Sequence, residues 1–354
     1  MIKHKLLCTA LSCLLAAGSL TACGHTETAP VADSVLAEAD NSSSDAESSV
    51  SIVTTIFPQY DWVREIVKDS PRDIETTLLL RDGVDLHSYQ PTAEDIMKIA
   101  ACDIFIYVGG ESDSWVEDAL TEDTGRDMVV VNLLDVLGDH AREEVIIPGM
   151  ETEDDDESKK NGETASNQKS DAAEEIEYDE HVWLSLKNAA VLCDAIEKAI
   201  EEKDPDNAEV YSANLRSYKE KISELDKEYS ETATGGTADT LLFGDRFPFL
   251  YMAEDYGLNY YAAFSGCSAE TEASFETIVY LAGKVNEFGL KSICTIENSD
   301  QKIAQTIRDN TESKDQEILV FDSLQSIKAE DIANGATYLS LMESNLKVLK
   351  KALN

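Results

Sequence analysis

Residues 76–110 read TTLLLRDGVDLHSYQPTAEDIMKIAACDIFIYVGG, and their order decides the fold class. An apolar run at Thr77–Leu80 reads as a strand, a polar turn carries Asp85 and His87, Pro91-Thr92 opens a helix, and Ile104–Val108 reads as a second strand. A histidine just past the carboxyl end of a strand stands where open α/β sheets place groups that contact ligands. The pattern returns as YDEHVW around His181, LLFGDRF around Asp245 and LVFDSL around Asp322. Four such polar loops together predict a metal-binding cleft.

The alternation extends both ways. Ser51–Phe57 reads as a first strand broken by Pro58, a helix runs to about Lys68, and Met128–Val131 is a further short apolar run. Strands separated by helices predict a parallel sheet covered on both faces. Glu151–Glu180 then collapses into an acid-rich stretch without apolar period, read as a charged, disordered loop. After a helix from Trp183 to Glu202, Tyr211, Leu215, Tyr218, Ile222, Leu225 and Tyr229 fall three and four apart, a one-sided seam on a long helix over Asp206–Tyr229. Beyond Thr234-Gly235-Gly236 the strand–helix alternation restarts and closes on a helix over Ala336–Leu353. The expected fold is α/β: two lobes with parallel sheets, joined by one long rigid helix, with the metal cleft between them. The expected boundaries are 51–150 for the first lobe, 151–180 for the acidic loop, 181–205 for the helix completing that lobe, 206–233 for the linking helix and 234–354 for the second lobe.

The chain opens MIKHKLLCTALSCLLAAGSLTA, with lysines before an apolar run too short to span a bilayer comfortably, which reads as an export signal over residues 1–22. Leu20-Thr21-Ala22-Cys23 resembles the lipobox of bacterial lipoproteins, which makes Cys23 the expected lipid anchor and residues 23–50 a disordered tether. A formal net charge of -41 argues against nucleic-acid binding, because phosphates would be repelled. Cysteines Cys102, Cys193, Cys267 and Cys294 form no CxxC pair. Cys267 and Cys294 share the second half of the chain and could bridge, which spacing does not decide.

Of five histidines, His4 falls in the signal, His25 in the tether and His140 in a polar turn, all read as bystanders. His87 and His181 are each preceded by acids and followed by a hydroxyl or aromatic residue that could fix the imidazole, and neutral imidazole is the commonest protein metal ligand. Asp322 follows the strand EILVF, and Glu297 follows SICTI in the same placement. Taken singly, each acid reads equally as a turn or helix cap.

TIFPQYDWVREI, DGVDLHSYQPTAEDI, YDEHVWLSLKNA, SAETEASFETI and YLSLMESNLKVLKKAL together resemble the solute-binding lipoproteins of zinc and manganese ABC importers, over nearly the whole chain from Ser51. The resemblance implies metal held between two lobes by His87, His181, a third ligand after the first strand of the second lobe, and Asp322. At that third position, where the family carries His or Glu, FGDRFPFLY has Gly244. Asp245 is the favoured substitute; a water or Glu272 are the alternatives, with Glu297 a further acid of the site or its surroundings. The resemblance further implies a monomer delivering its ion to an ABC permease.

Two imidazoles with one or two carboxylates suit tetrahedral zinc but also oxygen-rich manganese, so zinc is the expected cargo and manganese the alternative. A secreted metallohydrolase would need a general base beside the ligands, as in HExxH, and the sequence has none. An adhesin on the same fold is the other alternative.

Overall fold

The computed structural model describes residues 49–120, 127–151, 177–268 and 272–354. The signal, Cys23, nearly all of the tether and most of the acidic loop lie outside the described residues. Within the first half, β1 (Val50–Thr54), β2 (Ile74–Leu78), β3 (Ile104–Tyr107) and β4 (Val129–Asn132) form a parallel sheet in the order β2-β1-β3-β4. The helices α1 (Phe57–Ile66), α2 (Ala93–Ala101) and α3 (Trp115–Leu120) supply the crossovers, and α4 (Leu133–Leu137) follows the last strand. Thr92 caps α2 reciprocally with Asp95, so this helix begins where the Pro91-Thr92 signal predicts.

The chain then runs through α5 (Leu186–Lys203) into α6 (Ala208–Gly235), a helix of 28 residues. Its seam residues Tyr211, Leu215, Tyr218, Ile222, Leu225 and Tyr229 are all buried. The Tyr211 hydroxyl donates to Asp204 beside the first sheet, while the Tyr229 hydroxyl donates to the Met342 carbonyl in the last helix of the chain. At 1.5 Å per residue the helix is about 42 Å long, enough to run past both sheets.

The second sheet contains β5 (Thr240–Phe247), β6 (Asn259–Ser265), β7 (Ser292–Ile296) and β8 (Glu317–Phe321), parallel and ordered β6-β5-β7-β8. The helices α7 (Leu250–Tyr256), α8 (Phe275–Phe288), α9 (Lys302–Asp309), α10 (Ala329–Ala333) and α11 (Tyr338–Ala352) complete it. In each sheet the first strand lies inside and the order reverses beside it, which opens a crevice at the carboxyl ends. One buried apolar cluster, including Phe105, Trp183, Tyr218, Phe243 and Phe321, draws residues from both sheets, and Glu47–Asn354 is one compact unit.

β5 departs from the sequence reading. The apolar run ends at Phe243, but the strand continues to Phe247 through an irregularity in its pairing with β6 between Phe243 and Arg246. Asp245 therefore sits inside an irregular strand rather than in the loop beyond one.

Candidate metal centre

His87 sits on a single helical turn, Leu86–Ser88, whose first backbone N–H groups are met by Asp85: its carboxylate accepts from the His87 N–H at 3.0 Å. His181 precedes a second such turn, Val182–Leu184, and its own N–H donates to Asp179 at 2.8 Å. These Asp-x-His turns present both rings toward each other, with Nε2 of His87 3.2 Å from Nε2 of His181.

The far nitrogens are held. Nδ1 of His181 lies 3.2 Å from the Asp179 carboxylate, which can only accept and so favours a proton on Nδ1, while Nε2 faces His87. Nδ1 of His87 lies 2.8 Å from the Ser112 hydroxyl and 3.6 Å from Oε2 of Glu180. That Glu180 oxygen is buried and has no hydrogen-bond partner, while Oε1 accepts from the Ser112 N–H at 2.8 Å. Glu180 packs directly on Gly110, whose φ of +81° and lack of a side chain let the carboxylate approach; a Cβ there would overlap Oε1.

The two imidazoles differ in basicity. Burial, then the neighbouring His181, holds the His87 imidazole down to about 3. For His181 burial acts in the same direction, but Asp179 and then Glu180 outweigh it and leave its pKa raised.

From the second sheet, Cys267 completes a group with the two histidines in which one ligand-capable atom from each lies within 4.8 Å of the others. Among the described residues no other triplet of His, Cys, Asp or Glu is gathered in this way. Sequence reasoning assigned Cys267 no part in the site, because a lone cysteine in FSGCSAE carries no ligand spacing. The expected possibility of a Cys267–Cys294 bridge is corrected: both are free thiols, with Cys294 buried in the second sheet.

The predicted acids are placed differently. Asp245 shares with His87 a cleft of about 530 Å³ that also contains Asp85, Arg246 and Glu297. Its carboxylate turns back on the backbone, accepting from the Arg246 N–H at 2.9 Å and weakly from the Ile296 N–H at 3.5 Å, so it ties β5 to β7 instead of joining the histidine group. Glu297 accepts from the Ser323 N–H and hydroxyl at 2.7 and 2.5 Å, and burial followed by the charge of Asp322 pushes it up to about 7. Asp322 follows β8, with Oδ1 accepting from the Leu324 N–H at 2.8 Å; burial raises its pKa. The turn it occupies is pinned to the His181 turn by the Trp183 indole, which donates to the Ser323 carbonyl at 2.8 Å. Glu272 is exposed beside a separate hollow with Asp300 and Lys302, and His140 is exposed elsewhere.

Gly244 is more than a missing side chain. A Cβ built on it would lie 2.6 Å from Cα and 2.8 Å from N of Ala304, so the backbone of α9 occupies the space a ligand would need. Arg246, two residues on, crosses to the first half and pairs with Asp85 at 2.5 Å, with Gln325 donating to the same carboxylate oxygen at 3.2 Å.

Comparison with known proteins bears on the family and the fold. The zinc-binding lipoprotein AdcA of Streptococcus pneumoniae is 31% identical over 306 residues, covering 86% of this chain, which in turn spans 56% of that protein. The high-affinity zinc uptake system protein ZnuA of Bacillus subtilis is 28% identical over 334 residues, covering 94% of this chain and 93% of that one. In three dimensions, the Zn(II)-bound ZnuA-like domain of Streptococcus pneumoniae AdcA superposes with a TM-score of 0.65 at 27% identity, covering 86% of this chain and 99% of that domain. The metal-dependent lipoprotein YcdH of Bacillus subtilis superposes with a TM-score of 0.66 at 27% identity, covering 86% of this chain and 100% of that one. The profile of the family described as ZnuA, zinc-uptake complex component A periplasmic, matches residues 52–352, and the chain belongs to that family.

Proposed function

We propose that the chain captures a divalent transition-metal ion, with zinc preferred over manganese, outside the cytoplasmic membrane and hands it to an ABC permease. The observation that carries this reading is the His87–His181 pair. Two nitrogens about 2.0–2.1 Å from a tetrahedral zinc ion lie about 3.3–3.4 Å apart, close to the 3.2 Å between the two Nε2 atoms.

The hydrogen bonds behind the rings support it further. A cation between the Nε2 atoms needs both lone pairs, so each imidazole must carry its proton on Nδ1. Asp179 already receives that proton from His181, and the unpartnered Glu180 oxygen stands ready beside Nδ1 of His87. Asp322 is the carboxylate we assign from the second half, held at its strand end by the Trp183–Ser323 link. Asp245 holds the irregular strand, and Glu297 shapes the Asp322 turn.

The protein in this reading catalyses no reaction. The Leu20–Cys23 lipobox motif and the lipoprotein name of a relative support a lipid anchor at Cys23, and the packing of α6 against α1 in the first half and α11 in the second supports a receptor that releases its ion by local loop movement rather than wide hinging. Thermal unfolding of the full-length protein tests the reading. Stoichiometric zinc should raise the melting temperature, and manganese at the same concentration should raise it less. No shift with either ion would overturn it.

A further inference from the structure

We propose that Cys267 is a direct thiolate ligand to the captured ion and replaces the ligand that Gly244 cannot supply. This rests on the metal-capture reading and names a ligand beyond it. Three observations carry it. The sulfur belongs to the group of atoms lying within 4.8 Å of one another with the His87 and His181 nitrogens. The position before it is Gly266, where a Cβ would come within 3.2 Å of the His181 ring, 3.2 Å of the Asp179 carboxylate and 3.0 Å of the Phe247 carbonyl, so a side chain there would crowd the approach of the Cys267 backbone to the histidine. The alternative route is shut, because α9 fills the space beside Gly244.

The surroundings are built for this residue. Its N–H donates to Glu144 at 2.9 Å, which fixes the turn. On the opposite side of the group, Glu180 places an unpartnered buried oxygen behind His87. On binding, the S–H bond gives its proton to solvent and the sulfur lone pair bonds the ion. A ligand set of two imidazoles and one thiolate selects borderline-soft zinc over manganese, which favours oxygen donors.

The test uses the full-length protein with Co²⁺ as a spectroscopic probe, and Zn²⁺ and Mn²⁺ in competition. Co²⁺-loaded wild type should show intense near-ultraviolet thiolate-to-metal charge transfer, absent from Cys267→Ser and Cys267→Ala. Both variants should still bind one equivalent of Zn²⁺, with affinity lowered by more than about 100-fold, beyond the 10–100-fold usual for groups behind a ligand. Mn²⁺ affinity should change far less, so the preference for Zn²⁺ narrows. Circular dichroism checks the fold of each variant, and if one is misfolded the charge-transfer band of the wild type decides alone. Tight Zn²⁺ binding by wild type with no charge-transfer band, or unchanged in both folded variants, would overturn the thiolate and leave metal capture standing. Absence of tight binding by wild type would overturn both.

Discussion

The two sides of the cleft are built by opposite rules. On the first side, two histidines sit on matching Asp-x-His turns, and each has an acceptor behind its ring: Asp179 for His181, Ser112 and Glu180 for His87. Their orientation is fixed before any ion arrives. On the second side the acids are occupied with their own backbone: Asp245 with Arg246 and Ile296, Glu297 with Ser323, Asp322 with Leu324. Leu324 itself is buried at a φ of +62°, a conformation costly for a non-glycine residue. The lesson is that preorganisation is concentrated on the imidazoles, whereas the second side brings Cys267 to them on a turn shaped by glycine and keeps its acids on their own backbone.

Removing an imidazole breaks the comparison most sharply. His181→Ala should lower zinc affinity by more than about 100-fold, because it deletes the proposed ligand and leaves the buried Asp179 carboxylate without its imidazole; isothermal titration reads this directly. Glu180→Gln should cost about 10–100-fold by replacing the acceptor behind His87 with an amide, while leaving the ligands in place. An unchanged affinity in that variant would show that the first side does not depend on its supporting acids.

Smaller effects sharpen the contrast on the second side. Gly244→His restores the family's residue type but should lower the melting temperature and add no zinc affinity, since overpacking against Ala304 costs about 1–3 kcal/mol. A gain in zinc affinity would show that α9 yields. Asp245→Asn should change zinc affinity by less than about threefold, well short of the 10–100-fold usual even for groups behind a ligand.

The pH dependence of stability isolates the buried acids. Burial raises Asp113 to about 7 and Asp61 to about 6, where Asp61 also accepts from the Tyr338 N–H. An acid whose pKa is raised in the folded protein binds more protons folded than unfolded, so its contribution is complete below the unfolded value and is lost as pH rises through the folded one. Without added metal, these acids should therefore raise the melting temperature as pH falls from 8 toward 5, offset in part below about 6.5 by His87, whose depressed pKa acts in the opposite sense. Zinc affinity should fall over the same range as protons compete for His181. Asp61→Asn should flatten the stability profile, by about 1–3 kcal/mol at pH 8; an unchanged slope would contradict the burial of that charge.

Much of this was legible in the sequence. Strand–helix alternation and the seam from Tyr211 to Tyr229 report burial directly, and burial follows local periodicity. His87 and His181 were singled out by their polar turns, and the structure brings their rings together on Asp-x-His turns whose acids sit two residues before each histidine. Asp245 was misplaced because the strand continues through an irregular pairing that no apolar alternation announces. Cys267 was invisible for a different reason: its partners lie 86 and 180 residues away in sequence, and only the fold makes them neighbours. Likewise Gly244 reads as an absence until α9 is seen to fill the space beside it.

The most direct test is a competition titration of full-length protein with Zn²⁺ and Mn²⁺ against a chromophoric chelator, with the His87→Ala/His181→Ala double variant alongside. One equivalent of tightly bound zinc, displaced poorly by manganese and lost in the double variant, is the predicted result. Zinc binding that survives loss of both imidazoles would contradict a site built on the His87–His181 pair.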